Sequence, residues 1–398
     1  MNKRILEKEV QNYIIQNINI DPLKLIFKKS PFENITMKEI VEQIDGFKRA
    51  KKKLPNEFCQ KGIYYPPKIS LEQCSSMQTG LYKSALISGD SIIDITSGMG
   101  VDDYYFSKVF KKLYYCELNK NLHNITKHNF NILNINNVTF FNGDGIEFIK
   151  KIKKVDWIYA DPGRRDENIK KVFLLSDCLP NIPKNLNHLF NKTNKILLKL
   201  SPLLDISSAI NELKFVKEVH IVSVKNECKE LLIILENEYT DEIKIKTINI
   251  ETKQNQTFNF SKNKETTLAA NFSEIKDYLY EPNSSIMKSG GFNSLSIKFN
   301  TPKLHPNSNL YTSEKLINEF PGKIFKIDKI INYDKKQIKK AVPEMKANIS
   351  TRNFPFKIEE IKKKNKIKDG GEIYLFFTTN FENKPVVIKC KRIIQNNI

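Results

Sequence analysis

Apolar and polar positions follow three different rhythms along this chain. From residue 1 to about 50, apolar positions such as Ile5, Val10, Ile14 and Ile15 recur at helical spacing. The segment DPLKLIFK opens a further helix with Pro22 near its first position. Thr36 and Glu39 stand in capping-box spacing ahead of another. From about residue 90 the rhythm changes to short apolar runs, SIID, KLYYCE, NVTFF, VDWIYA and KILLKL. Runs of this length without alternation fit strands buried on both faces of a parallel sheet. Segments of helical spacing, such as VDDYYFSKVFK and LHNITKHNFNILNI, lie between them. EVHIVSVKNECKELLIILEN then reads as two strands joined by a short polar turn. The pattern predicts an α/β fold, a mostly parallel sheet with one antiparallel strand behind an N-terminal helical segment. After about Tyr239 alternating strands such as IKIKTINIE and QTFNF appear in polar company. Residues 275 to 398 mix short strands with two helical segments, a small α+β module.

Composition narrows the class. The chain has 398 residues, enough for two or three domains. It contains no apolar run of roughly 18 residues, so no transmembrane helix is expected. MNKRILEKEVQNYIIQ reads as an amphipathic helix, not a signal peptide. The six cysteines show no CxxC spacing, and the five histidines (123, 128, 188, 220 and 305) show no metal-ligand spacing. No metal and a reduced, cytoplasmic protein are the expectation. His123 and His128 fall on a helix and read as surface residues. The net charge of +20 points to a polyanionic partner. Abundant Lys, Asn and Ile are also what an A/T-rich genome produces, and the basic run Lys48 to Lys53 fits either a phosphate contact or a solvated helix face.

The candidate chemistry sits at the strand ends. The first strand ends in Asp94 and a turn with Gly98 and Gly100, where the backbone approaches a ligand without a Cβ in the way. The second ends in Glu117, 23 residues after Asp94, close to the spacing at which an acid meets a ribose hydroxyl. The third ends in Asp144, able to accept from an adenine amine. The fourth empties into Asp161-Pro162-Gly163-Arg164-Arg165-Asp166. Ligands of open α/β sheets bind at such carboxyl ends. Ahead of the first strand, Ser75, Ser76 and Gln78 either line the cofactor cleft or serve as caps and loop residues. There is no GxxxxGK[ST] and no complete GxGxxG, so the ligand lacks phosphates. That favours a nucleoside such as S-adenosylmethionine over NAD or ATP.

These residues resemble a class I S-adenosylmethionine-dependent methyltransferase. LEQCSSMQTGLYK, DITSGMGVD, YADPGRRD, GGFNSL, KLHPNSNLYTS and KDGGEIYLFFTT together are similar to bacterial members carrying a C-terminal THUMP-like module. The likeness runs from about residue 50 onward. Gly163 and Met99 stand where the family often has alanine and an aromatic. The resemblance implies a Rossmann-like, seven-stranded methyltransferase sheet. It divides the chain into a helical region (1–75), a methyltransferase domain (76–238), a β-rich extension (239–274), a ferredoxin-like part (275–320) and a THUMP-like part (321–398). It assigns the cofactor to Asp94, Thr96, Ser97, Gly98, Gly100, Glu117, Leu118, Asp144, Gly145 and Asp161. It implies RNA, tRNA or rRNA, as the substrate.

In amino-methylating relatives an acid or amide followed by Pro-Pro-aromatic accepts hydrogen bonds from the target amine. Asp161 and Pro162 match this, while Gly163-Arg164-Arg165 replaces the aromatic. Uridine C5 enzymes need a Cys just after the fifth strand, and Ser201-Pro202 stands there instead. Direct transfer to an exocyclic amine or ring nitrogen is therefore expected, with Asp161 orienting the acceptor. Arg164 or Arg165 would bind the flanking phosphate, or else pair with Asp166 or Glu167. Competing readings are an inert methyltransferase fold that binds nucleic acid, a methyltransferase acting on DNA or protein, and a nicotinamide-dependent oxidoreductase.

Overall fold

A computed structural model describes residues 1–164 and 174–394. The chain forms two compact units, Met1–Lys217 with Glu230–Thr240, and Glu218–Lys229 with Asp241–Ile398.

The first unit opens with helices α1 (Lys8–Gln16), α2 (Pro22–Leu25) and α3 (Met37–Lys53). Asp21 accepts from Leu23 N, and Pro22 occupies the first turn of α2. The capping box of α3 is complete: Thr36 Oγ1 accepts from Glu39 N, and Glu39 accepts from Thr36 N. Ile5, Val10, Ile14, Ile40 and Ile44 form the apolar core of this region. Most of the Lys48–Lys53 cluster is engaged locally. Lys48 donates to Ile20 O, Arg49 pairs with Asp45 and Glu72, and Lys53 donates to Leu71 O and Glu72 O. Helices α4 (Lys68–Gln73) and α5 (Met77–Leu86) lead into the sheet.

The sheet begins with β1 (Gly89–Asp94), then α6 (Val101–Phe106), β2 (Phe110–Glu117), α7 (Lys120–Ile132), β3 (Val138–Asn142), α8 (Gly145–Lys151) and β4 (Trp157–Ala160). A two-residue ribbon pairs β5 (Gly163–Arg164) with β6 (Cys178–Leu179). Helix α9 (Ile182–Phe190), β7 (Lys195–Leu200) and α10 (Ile206–Glu212) follow. Strand β8 (Val216–Val224) is divided between the units, and β9 (Glu227–Glu236) returns to the first from Glu230 onward. Within the first unit the strand order is β9-β7-β4-β1-β2-β3. All pairings are parallel except β9 with β7. The chain winds outward through β1, β2 and β3, then returns to place β4 on the other side of β1. That reversal between β1 and β4 is the topological switch point, where the crevice outside the carboxyl ends opens.

In the second unit β8 pairs parallel with β10 (Lys244–Ile250), which pairs antiparallel with β11 (Gln256–Ser261). Then come α11 (Lys262–Thr267), β12 (Tyr278–Pro282), α12 (Ser284–Ser289), α13 (Phe292–Phe299), β13 (Tyr311–Ser313), β14 (Gly322–Asn332), α14 (Lys335–Ala341), β15 (Asn348–Arg352), α15 (Ile358–Asn365), β16 (Ile373–Thr379) and β17 (Pro385–Ile393). Their six strands take the order β13-β12-β14-β17-β16-β15. Glu281 on β12 nevertheless accepts from Arg352 on β15 at 2.7 Å. A flat sheet would separate those strands by about 19 Å, so this sheet curls strongly on itself. Leu279, Phe325, Phe376, Ile388 and Cys390 fill the interior of the curl. Among the described residues no helix is long and apolar enough to cross a membrane, and no cluster of side chains could hold a metal ion.

Candidate active site

The carboxyl ends of β1, β2, β3 and β4 bring the predicted acids to one edge of the sheet. Asp94 closes β1 and is buried. Its Oδ1 accepts from Thr96 N at 2.7 Å and from Thr96 Oγ1 at 3.1 Å. Thr96 Oγ1 accepts in turn from Asp161 N at 2.7 Å, which ties the end of β4 to the turn after β1. Ser97 is buried and works structurally. It donates from Oγ to Asp94 O, accepts from Cys116 N, and so clamps the turn to β2. Gly98 and Gly100 adopt positive φ, +59° and +74°. A Cβ at Gly100 would lie 2.7 Å from Thr126 Cγ2, whereas one at Gly98 would meet nothing nearer than Thr96 O at 3.9 Å. Gly98 therefore faces open space, the cradle a ligand would enter.

Glu117 ends β2 and is held by two backbone donors, Gly98 N at 3.0 Å to Oε2 and Asn119 N at 2.6 Å to Oε1. Leu118, beside it, is 73% exposed. Asp144 caps α8 through Oδ1, which accepts from Ile146 N at 2.7 Å. Gly145 follows it under tight packing: a Cβ there would lie 2.5 Å from Ile95 O. The arrangement offers a half-buried carboxylate with fixed oxygens, an exposed apolar side chain and an exposed acid, in series along one edge.

Burial pushes the Asp94 carboxyl well above the usual range, and the nearby Asp102 and Asp161 add to it. Asp103 is fully buried, and among the described residues neither oxygen is in hydrogen-bond geometry with a partner. Burial and the neighbouring Asp94 and Asp102 push it well up too.

Behind this edge lies a buried polar cluster. Lys83 on α5 is wholly buried. It donates to both oxygens of Glu230 on β9, at 2.8 and 2.7 Å, and stands 3.2 Å from Asp102 Oδ1. Ser75 donates to Asp102 Oδ2 at 2.8 Å and accepts from Lys83 at 3.0 Å, and Tyr159 OH donates to the same Asp102 oxygen at 2.7 Å. Burial opposes the charge on Asp102. The Lys83 and Lys199 ammonium groups and the two hydroxyls outweigh it and hold that carboxyl low. Lys199, on β7, forms an ion pair with Asp161 Oδ2. Burial works against its charge, but Asp161, Asp102 and Glu230 outweigh that and hold its pKa high.

Of the three substrate-side candidates, Ser75 belongs to this buried cluster. Ser76 caps α5 by accepting from Thr79 N at 3.3 Å, the capping chemistry the sequence allowed for. Gln78 is half-buried on α5. Pro162 is buried next to Asp161. Arg164 lies in β5, its backbone paired with Cys178. Arg165, with Asp166 and Glu167, lies outside the described residues. His123 departs from its expected surface position: it is buried against Tyr115 and Phe140, with centroids 5.8 and 5.9 Å away. His128 Nε2 lies 2.8 Å from Gly62 O. A recess of about 650 Å³ between Glu57, Tyr104, Lys108 and Asn137 lies at the opposite edge, where β2 and β3 begin, and holds none of these residues.

Lys83, Asp102, Asp103, Lys199 and Glu230 escaped the sequence reading. The available signal was Lys199, a lone lysine interrupting the apolar run KILLKL one step before the ligand edge.

Residues 278–321 match a ferredoxin-like domain family, and residues 322–392 match a THUMP domain-like family. Among curated proteins the chain has no match. Among solved structures it is similar to a candidate methyltransferase from Porphyromonas gingivalis W83, at 30% identity over 99% of each chain, with a TM-score of 0.90. An rRNA methylase from Streptococcus thermophilus shares 12% identity over 40% of this chain and 93% of its own, with a TM-score of 0.30. A candidate methyltransferase from Streptococcus mutans in complex with SAH shares 15% over 40% and 96%, also at 0.30.

Proposed function

The chain belongs to the methyltransferase family of the Porphyromonas gingivalis protein, with its C-terminal ferredoxin-like and THUMP-like module, and on that premise we propose that it is an S-adenosylmethionine-dependent RNA methyltransferase. Its acceptor is a base nitrogen of structured RNA, tRNA or rRNA, met in the cytoplasm. The observation that carries the cofactor is the ordered edge at the switch point: the open Gly98 cradle, the fixed Glu117 carboxylate and Asp144, with no phosphate loop. Glu117 is oriented to accept from two ribose hydroxyls. Asp144 Oδ2 has no partner among the described residues and is left to accept from an adenine amine. Leu118 offers an apolar face for the base.

Bound at this edge, with Glu117 and Asp144 holding its nucleoside, the cofactor would supply a sulfonium methyl to the acceptor nitrogen, whose proton would pass to solvent. The protein's part is to hold the nucleotide in line, which is worth much of the barrier. Asp161 accepts a hydrogen bond from the acceptor nitrogen. Arg164 and Arg165, which follow it in the chain, bind the flanking phosphate.

The C-terminal module captures the RNA. Lys335, Lys336, Lys339 and Lys340 on α14 and Lys363 and Lys364 on α15 are exposed, and the two helices pack together. Such a face neutralises phosphates and releases counterions. The test is incubation with tritiated S-adenosylmethionine and separate pools of tRNA, rRNA and DNA from a strain lacking the gene. Label entering one RNA pool is expected. Label in none, or in DNA alone, contradicts the reading.

A further inference from the structure

Lys199 has no role in the cofactor edge, yet the fold goes to some length to keep it charged under cover. It is the fifth residue of β7, in a strand otherwise apolar from Ile196 to Leu200. Its side chain is only 12% exposed. An unpaired lysine there would cost several kcal/mol or lose its charge. Three acids prevent that: Asp161, which it contacts, and Asp102 and Glu230, which act on it through space. The register explains the meeting. β4 and β7 run parallel with Ala160 beside Leu198, so the next residues, Asp161 and Lys199, emerge level at the carboxyl edge.

Asp161 is held differently from the acids behind it. Its side chain is 37% exposed. One oxygen, Oδ2, is taken by Lys199, and Oδ1 has no partner among the described residues. The backbone is fixed by the Thr96 hydroxyl on one side and by Pro162 on the other. With an ammonium donating to Oδ2, neither oxygen offers a hydrogen to a ligand. The free oxygen can only accept. We infer that Lys199 is a positioning residue that fixes Asp161 as a pure hydrogen-bond acceptor. The site thereby selects an acceptor nitrogen that keeps a hydrogen for Asp161 as the methyl arrives: an exocyclic amino group, which carries two, and not a ring N–H, whose one hydrogen occupies the position the methyl takes. A ring nitrogen presenting only a lone pair, or the C5 carbon of a pyrimidine, gives Asp161 nothing to accept. This inference rests on the methyltransferase reading above.

The test uses the full-length protein and five forms of it: wild type, Lys199→Met, Lys199→Arg, Asp161→Asn and the Lys199→Met/Asp161→Asn double variant. Methyl transfer to the RNA pool that accepts label is measured as kcat and KM, and S-adenosylmethionine affinity by calorimetry. Lys199→Met is expected to lower kcat about 10- to 100-fold, the loss of one charge-assisted contact, with cofactor affinity unchanged. Lys199→Arg restores most of it. In the Asp161→Asn background Lys199→Met costs less than about threefold, because a residue acting through another adds nothing once that other is gone. If Lys199→Met alone fails to fold, the arginine form and the double variant carry the comparison. On the substrate side, replacing the mapped acceptor by the nucleoside lacking its amino group (inosine for a purine, uridine for cytidine) is expected to abolish transfer. Additive losses, full kcat in Lys199→Met, or transfer to the amine-free nucleoside would each overturn the inference while leaving the methyltransferase reading in place. A wild-type protein that binds no S-adenosylmethionine and labels no RNA removes the reading, and the inference with it.

Discussion

Two of the first unit's lysine–carboxylate pairs are built on covered lysines, and they are spent in opposite ways. Lys83 and Glu230 are both buried, at 0% and 4% side-chain exposure, and every oxygen of Glu230 is engaged. Lys199 is nearly as covered, but its partner Asp161 stands at the carboxyl edge with one oxygen unclaimed among the described residues. The first pair is closed on itself, with Asp102, Ser75 and Tyr159 completing it. The second presents a charge outward. A buried ion pair is weak evidence for stability, since desolvation offsets the attraction, but removing one partner is severe. Chemistry is to be sought not at the charged cluster with most contacts but at the pair whose carboxylate is partly exposed.

The sharpest way to break this comparison is Lys83→Met. It takes the ammonium away from the buried Glu230 carboxylate and from the side of Asp102, so urea unfolding should show a loss of about 3–5 kcal/mol. A loss under about 1 kcal/mol would mean the cluster is not closed as described. Asp161→Asn should behave in the reverse manner. Methyl transfer falls about 10- to 100-fold, while the unfolding midpoint and calorimetric cofactor affinity stay near wild type.

A third pair, in the second unit, marks the small end of the scale. Glu218 accepts from Lys246 at 2.7 Å and lies 2.9 Å from His220 Nε2. The His220 contact, with Lys246, draws the Glu218 carboxyl down from the ordinary 4.5 to about 2, against the burial that opposes it. A depressed folded-state pKa gives stability that is present above 4.5 and is lost as pH falls through about 2. The site is partly solvated, so the contribution is no more than about 1 kcal/mol. Urea midpoints of wild type and Glu218→Gln should therefore converge as pH drops from 6 to 3. Parallel curves would show that the pair contributes nothing.

Much of the first unit was legible in the chain. Apolar runs set the strands, Thr36 and Glu39 formed the expected capping box, and the acids at the strand ends came together at one edge because a parallel sheet brings them there. The buried cluster was not legible, because its members meet only through the fold. Lys83 sits in MQTGLYKSAL, where a lysine reads as a surface residue, and Glu230 arrives from 147 positions away. His123 was misjudged although its spacing with Thr126 and Phe130 marks one helix face, all three buried. The curl of the second unit's sheet was also out of reach. It depends on Glu281 meeting Arg352 across strands far apart in sheet order.

In the function proposed for the chain, the switch-point edge binds S-adenosylmethionine through Glu117. Calorimetric titration of S-adenosylmethionine into wild type and Glu117→Ala tests it most directly. Saturable binding at one site is expected in the wild type, weakened about 10- to 100-fold by the substitution, the loss of a carboxylate accepting from two hydroxyls. Absence of saturable heat in the wild type, or equal affinity in Glu117→Ala, would contradict it.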